Sequence, residues 1–371
     1  MLFGRGLESI FPFLSRFNRL MRHDRLTMSM AKRALITGIT GQDGSYLAEL
    51  LAEKGYEVYG LMRRTSFDVP APVEALSNKG LVKLIYANMR DLPTIVRTLE
   101  ESKPDEIYNL AAQSHVGVSF LCPDETWDVN YYGVERLLKE ATSRNKDVKF
   151  YQASTSEMYG STPPTHTETS VFSPVSPYAE AKVKAHRLIE DYRSKGFFTC
   201  SGILFNHESP RRGKIFVTRK LTLAFAEMKL GLRDKVGVGN MAAGRDWGFS
   251  GDYVRAMWMM LQADTPDTYV VATGRAHTVR DLIETVARTI GMPIHWEGEG
   301  LQEVGKDEQG NVRVFVDEKF YRPREVDALC GDWSKAKEKL SWEPKVTFEE
   351  LIEMMIKSDI EHIRALHGIS K

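Results

Sequence analysis

Short apolar runs alternate with helix-like segments along the chain from residue 33 onwards. Five mainly apolar runs have the length and composition of buried strands: RALITGI, YEVYGLMR, LVKLIYANM, DEIYNLAA and VKFYQAS. Between them lie segments with apolar residues at helical spacing, such as SYLAELLAEKG, LPTIVRTLEESK and YYGVERLLKEATSRN. This alternation predicts an α/β fold with a doubly wound parallel sheet, whose ligand crevice lies at the carboxyl ends of the strands.

The alternation loosens after about residue 206. KVGVGN, TYVVATG, IHWEGEG and RVFVDEKF are predicted to be strands of mixed order, and TVRDLIETVARTIG is predicted to be a helix. We therefore expect a first domain at 31–206. Residues 207–371 are expected to form a smaller mixed α/β lobe that mainly binds substrate, with room for segments that cross back to the first domain.

The first thirty residues differ from the rest of the chain. They are basic, with Phe and Leu scattered among five arginines. Pro12 and Arg16 interrupt the compact apolar core that a secretory signal needs. A basic amphipathic membrane anchor is an alternative. We expect residues 1–30 to be a flexible extension, or the true start to be Met28 or Met30.

Composition narrows the class of protein. At 371 residues and 42.1 kDa, the chain is long enough for one large α/β unit or two smaller domains. Its net charge is +0, so nothing in the overall charge indicates a nucleic acid or a membrane as partner. Cys122, Cys200 and Cys330 lie far apart, without the spacing of a metal site. We expect a cytoplasmic enzyme with no metal.

The stretch TGITGQDGSY places Gly38, Gly41 and Gly44 three apart, between the first strand and the first helix. Glycines here let the backbone approach a pyrophosphate at the positive end of the helix. Any tight turn recruits glycine, but this position favours a dinucleotide site in a Rossmann-type sheet. We assign the whole turn to the cofactor: Gly38, Ile39, Thr40, Gly41, Gln42, Asp43 and Gly44.

The end of the second predicted strand indicates which dinucleotide is bound. NAD sites usually carry an acidic residue there, for the ribose 2′-hydroxyl. This chain has Arg63 and Arg64 instead. Guanidinium groups bind a 2′-phosphate that a carboxylate would repel, so the sequence predicts NADP. The alternative is that the two arginines only make a loop more soluble and bind no phosphate.

Tyr178 and Lys182 are four residues apart on the predicted helix YAEAKVKAHRLIEDYRSKG, so both side chains project from one face. A nearby lysine cation lowers the pKa of a phenol, which would let Tyr178 act as a general base. Thr155 ends the fifth strand, at the edge where substrate is expected. With TGITGQDG, NLAAQSHV, STSEMYG and YAEAK, the N-terminal half resembles the extended short-chain dehydrogenase/reductases. That family combines an NAD(P)-binding Rossmann domain with a substrate-binding C-terminal lobe.

Glu157 adds a second kind of chemistry. It follows Thr155 by two residues, so in an extended strand both side chains would face the same side. A carboxylate beside a bound ketosugar can take the proton next to the carbonyl and pass it to a leaving hydroxyl. That is dehydratase chemistry. A simple strand-end glutamate without a role is the alternative.

The C-terminal half resembles the GDP-mannose 4,6-dehydratases in GILFNHESPRRG, FVTRK, GRDWGFSGDYVRAMWMMLQ and YRPREVDALCGDWSKAKEKLSWEPK. The resemblance covers about residues 33 to 360. Donors suited to a nucleoside diphosphate without a metal are Asn206, Arg219, Lys220, Arg245 and Arg322. A solvated basic face is the alternative. The resemblance implies cofactor contacts from Asp91, Leu92, Leu110, Ala111, Ala112, Gln113, Ser114, Lys182, His207 and Arg212. It also implies substrate contacts from Ser114, Glu157 and Glu325.

The same resemblance implies conversion of GDP-mannose to GDP-4-keto-6-deoxymannose and water, by internal redox with tightly bound NADP. The catalytic residues would be Thr155, Glu157, Tyr178 and Lys182. A GDP-heptose could replace GDP-mannose. An epimerase or 4-reductase on the same scaffold would not need Glu157, and a catalytically silent NADP-binding protein would not need the four together.

Two helices, YYGVERLLKEATSRN and YAEAKVKAHRLIEDYRSKG, carry apolar residues on more than one face. Helices of this kind pair across a two-fold axis, which predicts a homodimer or homotetramer. In relatives, the loop that corresponds to Arg63–Phe67 reaches a neighbour's cofactor. The alternative is that all of these apolar residues point into the core of one subunit.

Overall fold

The computed structural model describes residues 31–66, 68–320 and 328–369. The predictions for residues 1–30, Phe67, Arg322 and Glu325 lie outside these residues. In chain order the elements are β1 (Arg33–Thr37), α1 (Gln42–Glu53), β2 (Glu57–Met62), α2 (Ala71–Asn78), β3 (Val82–Tyr86), α3 (Leu92–Ser102), β4 (Glu106–Asn109), α4 (Val116–Leu121), α5 (Pro123–Trp127), α6 (Gly133–Arg144), β5 (Lys149–Thr155), α7 (Pro177–Ser194), β6 (Thr199–Leu204), β7 (Asn206–Glu208), α8 (Val217–Lys229), β8 (Val236–Val238), β9 (Gly244–Phe249), α9 (Ser250–Gln262), β10 (Thr268–Val271), β11 (Ala276–Thr278), α10 (Val279–Thr289), β12 (His295–Glu297), β13 (Val304–Lys306), β14 (Val312–Val316), β15 (Ala328–Leu329), α11 (Ser334–Leu340) and α12 (Phe348–His367).

A seven-stranded sheet in the order β3-β2-β1-β4-β5-β6-β10 forms the centre of the molecule. All six strand pairings in it are parallel. The order reverses between β1 and β4, which is where a doubly wound sheet opens a crevice at its carboxyl edge. The predicted Rossmann-type α/β fold class is confirmed. β10, at Thr268–Val271, lies beyond residue 207 and pairs with β6 in this sheet.

The sheet is buried because helices cover both of its faces. Leu47 and Ala48 of α1 pack with Met257 of α9 against one face. Leu137 of α6 and Ile189 of α7 pack against the other. A fully buried leucine side chain contributes about 1.5–3 kcal/mol, so these layers stabilise the strands whose ends carry the site.

The first two residues of the predicted helix YYGVERLLKEATSRN lie in a π-helical turn, and the regular α-helix begins after them. This turn, Asp128–Tyr132, precedes α6. In this turn the buried side chain of Asn130 accepts a hydrogen bond from the Gln113 backbone N–H at 2.9 Å and donates one to the Gln113 carbonyl at 3.0 Å. These two hydrogen bonds fix the loop that follows β4 against the π-helical turn.

The C-terminal lobe contains two small sheets, β12-β13-β14-β8 and β11-β9-β15, with β7 also paired to β9. Helices α8, α10 and α12 pack together around Phe225, Ile283 and Ile356. Capping boxes begin α10 at Thr278 and α12 at Thr347, as the local sequences favour. Within the three described ranges, no helix is both long and apolar enough to cross a bilayer.

Candidate active site

A cavity of about 1420 Å³ runs along the carboxyl ends of β1, β2, β4, β5 and β6 and continues into the C-terminal lobe. It is large enough for a dinucleotide together with a second ligand. Most of the residues predicted from sequence line it. They are Gly38, Thr40, Gly41, Gln42, Asp43, Gly44, Arg63, Leu110, Ala111, Ala112, Gln113, Ser114, Thr155, Glu157, Tyr178, Lys182, Asn206, His207, Arg212, Lys220 and Arg245.

Five predicted residues lie elsewhere. Ile39 is fully buried in the apolar core against Gly60. Arg64 lines a smaller cavity of about 420 Å³ next to Arg63. Asp91 and Leu92 are exposed where α3 begins. Arg219 is buried and forms an ion pair of 2.6 Å with Asp359 of α12.

The glycine-rich turn needs its glycines for close backbone contacts. Gly38 has a φ of +70°, a region that favours glycine, and a Cβ there would lie 2.9 Å from the Ala111 nitrogen. A Cβ on Gly44 would lie 2.4 Å from the Gly38 carbonyl oxygen. Gly41 caps α1 without any side-chain hydrogen bond, so the first N–H groups of α1 have no side-chain partner at this cap. Such a helix end is suited to binding a pyrophosphate.

The side chains of Gln42 and Asp43 tie this turn to the segment that begins the C-terminal lobe. Gln42 Nε2 donates to the His207 carbonyl at 3.0 Å, and His207 Nε2 lies 2.8 Å from Asp43 Oδ2. Burial would raise the pKa of Asp43, but the charge and hydrogen bond of His207, with a hydrogen bond from Ser250, hold it at about 2. Burial lowers the pKa of His207, but the charge of Asp43 together with hydrogen bonds to Asp43 and to the Phe205 carbonyl raises it above its ordinary value. Each side chain therefore favours the charged form of the other, and the contact joins the two lobes.

Tyr178, Lys182 and Thr155 come together as predicted from the Y-x-x-x-K spacing and the strand end. Lys182 Nζ lies 5.9 Å from the centre of the Tyr178 ring and donates to the Ala153 carbonyl at 2.8 Å. Burial raises the pKa of Tyr178 to about 12, and a hydrogen bond with Thr155 and the charge of Arg212 act in the opposite direction. Burial also lowers the pKa of Lys182 to about 8. We expected the lysine to lower the pKa of the phenol, but in this structure burial dominates.

Glu157 reaches the cavity by a different route from the one predicted. β5 ends at Thr155, and Glu157 lies in a 3-10 turn, Ser156–Met158, rather than in the strand. The Thr155 hydroxyl accepts a hydrogen bond from the Glu157 N–H at 3.3 Å, which caps this turn. The charge of Glu157 contributes to raising the pKa of Tyr178, so the two side chains are electrostatically coupled. The carboxylate thus lies in the same cavity as the phenol.

Polar side chains also face the part of the cavity that lies in the C-terminal lobe. Asn206 has a buried Oδ1 atom without a hydrogen-bond partner, and its residue lines the cavity. Lys220 Nζ donates to the Gly237 carbonyl at 2.7 Å and lies 3.3 Å from the centre of the Phe320 ring. Burial lowers the pKa of Lys220 to about 8. An unpaired buried acceptor is costly, which indicates that a ligand donor completes this wall.

Among the cavity residues that sequence reasoning missed, Glu125 and Phe320 lie beside predicted cations. Glu125 of α5 lines the cavity, and its Oε1 atom lies 3.8 Å from Arg63 NH1. Phe320 lines the opposite end of the cavity, beside Lys220. No local pattern marks either residue, because each reaches the cavity only through long-range packing. Among the described residues, no group of three or more His, Cys, Asp or Glu could hold a metal ion.

A parallel sheet with this strand order, a glycine-rich first turn and a Tyr–Lys pair beside a strand-end threonine are the features of an extended short-chain dehydrogenase/reductase. The family model described as GDP-mannose 4,6 dehydratase matches residues 35–355. GDP-mannose 4,6 dehydratase 1 of Arabidopsis thaliana is 49% identical over 355 residues, which cover 93% of this chain and 94% of that protein. GDP-mannose 4,6 dehydratase of Homo sapiens is 49% identical over 342 residues, 89% of this chain and 92% of that protein.

Among solved structures, UDP-glucose 4-epimerase of Thermus thermophilus, in complex with NAD, is similar with a TM-score of 0.72 and 26% sequence identity. The match covers 88% of this chain and 98% of that one. The chain belongs to the GDP-mannose 4,6-dehydratase family. Both resemblances seen in the sequence are thereby confirmed.

Proposed function

We propose that this protein removes water from GDP-mannose to give GDP-4-keto-6-deoxymannose, using bound NADP for an internal redox cycle. The observation that carries the proposal is that Glu157 shares one cavity with Thr155, Tyr178 and Lys182. Membership of the family and the two relatives named GDP-mannose 4,6 dehydratase support it. The solved 4-epimerase supports the redox scaffold but not the elimination step.

The residues on the cavity fit a nicotinamide dinucleotide. The glycine-rich turn leaves backbone N–H groups at the start of α1 for a pyrophosphate, and Arg63 follows β2 where the adenosine ribose is expected. Residues 31–206 would hold most of this cofactor, and residues 207–371 would mainly bind the GDP-sugar. A dinucleotide held by these residues would supply the hydride acceptance at C4 and the hydride return at C6 that the internal redox cycle requires.

Tyr178 would take the proton of the sugar 4-hydroxyl, with Thr155 hydrogen-bonded to the same oxygen. The buried phenol is a poor base by itself, because its pKa is raised to about 12. The Lys182 ammonium, which stays largely protonated at neutral pH with a pKa of about 8, favours the phenolate from the neighbouring helical turn. Thr155 and Arg212 act in the same direction.

Glu157 would carry out the elimination. A 4-ketone acidifies the C5 hydrogen, and the Glu157 carboxylate takes that proton. The same carboxyl group then gives the proton to the C6 hydroxyl, which leaves as water. Return of hydride to C6 requires a new proton at C5, and the proton that Tyr178 took from the 4-hydroxyl balances it. Asn206, Lys220 and Arg245 would bind the nucleotide part of the substrate, with Arg322 and Glu325 expected beside them.

The test is incubation of the purified protein with GDP-mannose, followed by detection of a 4-ketosugar through its absorbance in alkali. We expect this product to form without any added reductant. An epimerase, a 4-reductase or a silent binding protein would not form it under these conditions. Parallel incubation with a GDP-heptose measures whether the enzyme also accepts the longer sugar.

Cofactor preference gives a prediction at Arg63. Replacing it by Ala removes the guanidinium expected at the 2′-phosphate, so Arg63→Ala should weaken NADP by about 1–3 kcal/mol more than NAD. Dinucleotide titration of the wild type and the variant measures the difference, and the exposed Lys79→Ala serves as a control for lost surface charge. An equal loss for both dinucleotides, or a wild type purified with NAD bound, would contradict the preference for NADP.

We also propose that the protein is a homodimer or homotetramer, formed by α6 and α7. Tyr132, immediately before α6, is 46% exposed, and its ring lies 4.9 Å from that of Tyr131. An exposed tyrosine that packs against a partly buried one suits burial against a second copy. Light scattering at micromolar concentration should give a mass of at least twice 42.1 kDa. A mass near that of one chain would refute the oligomer. A mass near that of two chains would support the dimer and contradict the idea that subunits of a tetramer share cofactor contacts.

A cytoplasmic location remains our proposal. The three cysteines are free thiols in the structure, as expected in a reducing compartment. Cell fractionation with an antibody against the protein would test it, and recovery in the membrane fraction would contradict it.

A further inference from the structure

Glu125 places a carboxylate beside Arg63, at the end of β2, where the local sequence has two arginines and no acidic residue. It lies on α5, far from β2 in the sequence, and its side chain is 42% exposed. Its Oε1 atom is 3.8 Å from Arg63 NH1 and 3.9 Å from Arg90 NH1. Glu125 also lines the large cavity, on the side of Arg63. One carboxylate therefore faces two guanidinium groups at the adenosine end of the site.

The neighbouring charges show which arginine depends most on Glu125. Asp128 accepts a hydrogen bond from Arg90 Nε at 2.9 Å and lies 2.8 Å from Arg136 NH1. Arg90 thus has a second and closer acidic partner. Arg63 follows β2 directly, and among the described residues it forms an ion pair with Glu125. Glu125 therefore acts mainly on the charge of Arg63.

We propose that Glu125 is a specificity-determining residue, which weakens the preference for a dinucleotide 2′-phosphate by occupying Arg63. This inference rests on the proposed NADP site. A 2′-phosphate has to displace the carboxylate from Arg63 and also meets its negative charge. A ribose 2′-hydroxyl carries no charge, so NAD does not meet this opposition. Glu125 thereby narrows the difference in affinity between the two dinucleotides.

The proposal predicts a variant that binds better than the wild type. Glu125→Gln keeps the size of the side chain and removes the charge, so the full chain should bind NADP about two- to fivefold more tightly, the range that half-exposed ion pairs support. Affinity for NAD should not change. Equilibrium dialysis with each dinucleotide measures both constants. Damage to the fold would weaken both, so it cannot imitate this result.

Asp124 provides the matched control. It precedes Glu125 on α5, is exposed, and carries the same charge. Asp124→Asn should change NADP affinity less than Glu125→Gln does. The gain of Glu125→Gln should also shrink as salt is added, because ions screen exposed charges. If Asp124→Asn gives the same gain, the effect is one of general charge and the proposal is wrong.

A double variant separates this proposal from the NADP proposal. If Glu125 acts through Arg63, adding Glu125→Gln to Arg63→Ala should give less gain than it gives in the wild type. An undiminished gain in the double variant would overturn the proposed route through Arg63. Loss of NAD affinity in Glu125→Gln would show instead that Glu125 binds the ribose hydroxyl, which also overturns it. Failure of the NADP site itself would appear in Arg63→Ala alone, as an equal effect on both dinucleotides.

Discussion

We expect Glu157→Gln to lower the rate of dehydration by about 10²- to 10⁴-fold, the usual contribution of a general acid–base group. The amide has nearly the shape of the carboxylate but cannot take the C5 proton or deliver it to the C6 hydroxyl. Oxidation at C4 does not need Glu157, so the near-ultraviolet absorbance of reduced nicotinamide should accumulate in a single turnover. Stopped-flow absorbance and product analysis measure the two steps separately.

Two further variants serve as controls for this result. Tyr178→Phe should show neither accumulation nor product, because the proton of the 4-hydroxyl has no acceptor. Glu180→Gln removes a carboxylate from the exposed side of the helix that carries Tyr178, and it should behave as the wild type. Near-normal turnover in Glu157→Gln would show that another group performs the elimination.

The second large effect concerns stability and the position of Arg219. Arg219→Met should lower the free energy of unfolding by about 3–5 kcal/mol, because it leaves a buried carboxylate without its counter-ion. Asp359 is fully buried, and Arg219 NH2 lies 2.6 Å from its Oδ1. Burial raises the pKa of Asp359 to about 6, despite a hydrogen bond from Thr222 and the charge of Arg219. Urea unfolding at neutral pH measures the loss.

The pH dependence and two controls make this prediction specific. Loss of Arg219 should raise the pKa of Asp359 further above about 6, so the deficit of Arg219→Met should shrink as the pH falls towards 6, where protonation removes the stranded charge. Lys229→Met, at the exposed end of the same helix, should cost about 1 kcal/mol or less. Adding Asp359→Leu to Arg219→Met should recover stability. If Arg219→Met kept full stability but bound GDP-mannose poorly, Arg219 would be a substrate ligand, as the sequence suggested.

The fold and the candidate catalytic residues were accessible from sequence because their signals are local. The five mainly apolar runs became β1 to β5, since a largely apolar strand is stabilised between two covering layers. The turn from Gly38 to Gly44 was recognisable by its glycines, because a Cβ at Gly38 or Gly44 would lie 2.9 or 2.4 Å from backbone atoms. Tyr178 and Lys182 shared a face because four residues are close to one helical turn.

Other expectations failed where a local rule met a tertiary constraint. Thr155 and Glu157 were expected to share a strand face, but the strand ends at Thr155 and a 3-10 turn carries Glu157 into the cavity. The cation of Lys182 was expected to bring the pKa of Tyr178 near neutral pH, but burial of the phenol dominates and raises its pKa to about 12. Burial depends on all the elements around a group, so the four-residue spacing cannot report it.

By itself the sequence determined the fold class, the dinucleotide turn, the Tyr178–Lys182 pair and the family to which the chain belongs. These follow from periodicities and motifs that extend over a few residues. Only the tertiary structure decided that Arg219 pairs with Asp359, that Asp43 and His207 join the two lobes, and that Glu125 faces Arg63. Each of these contacts joins charges that are distant along the chain. Their partners are chosen by how the helices and loops pack, and no local pattern records that choice.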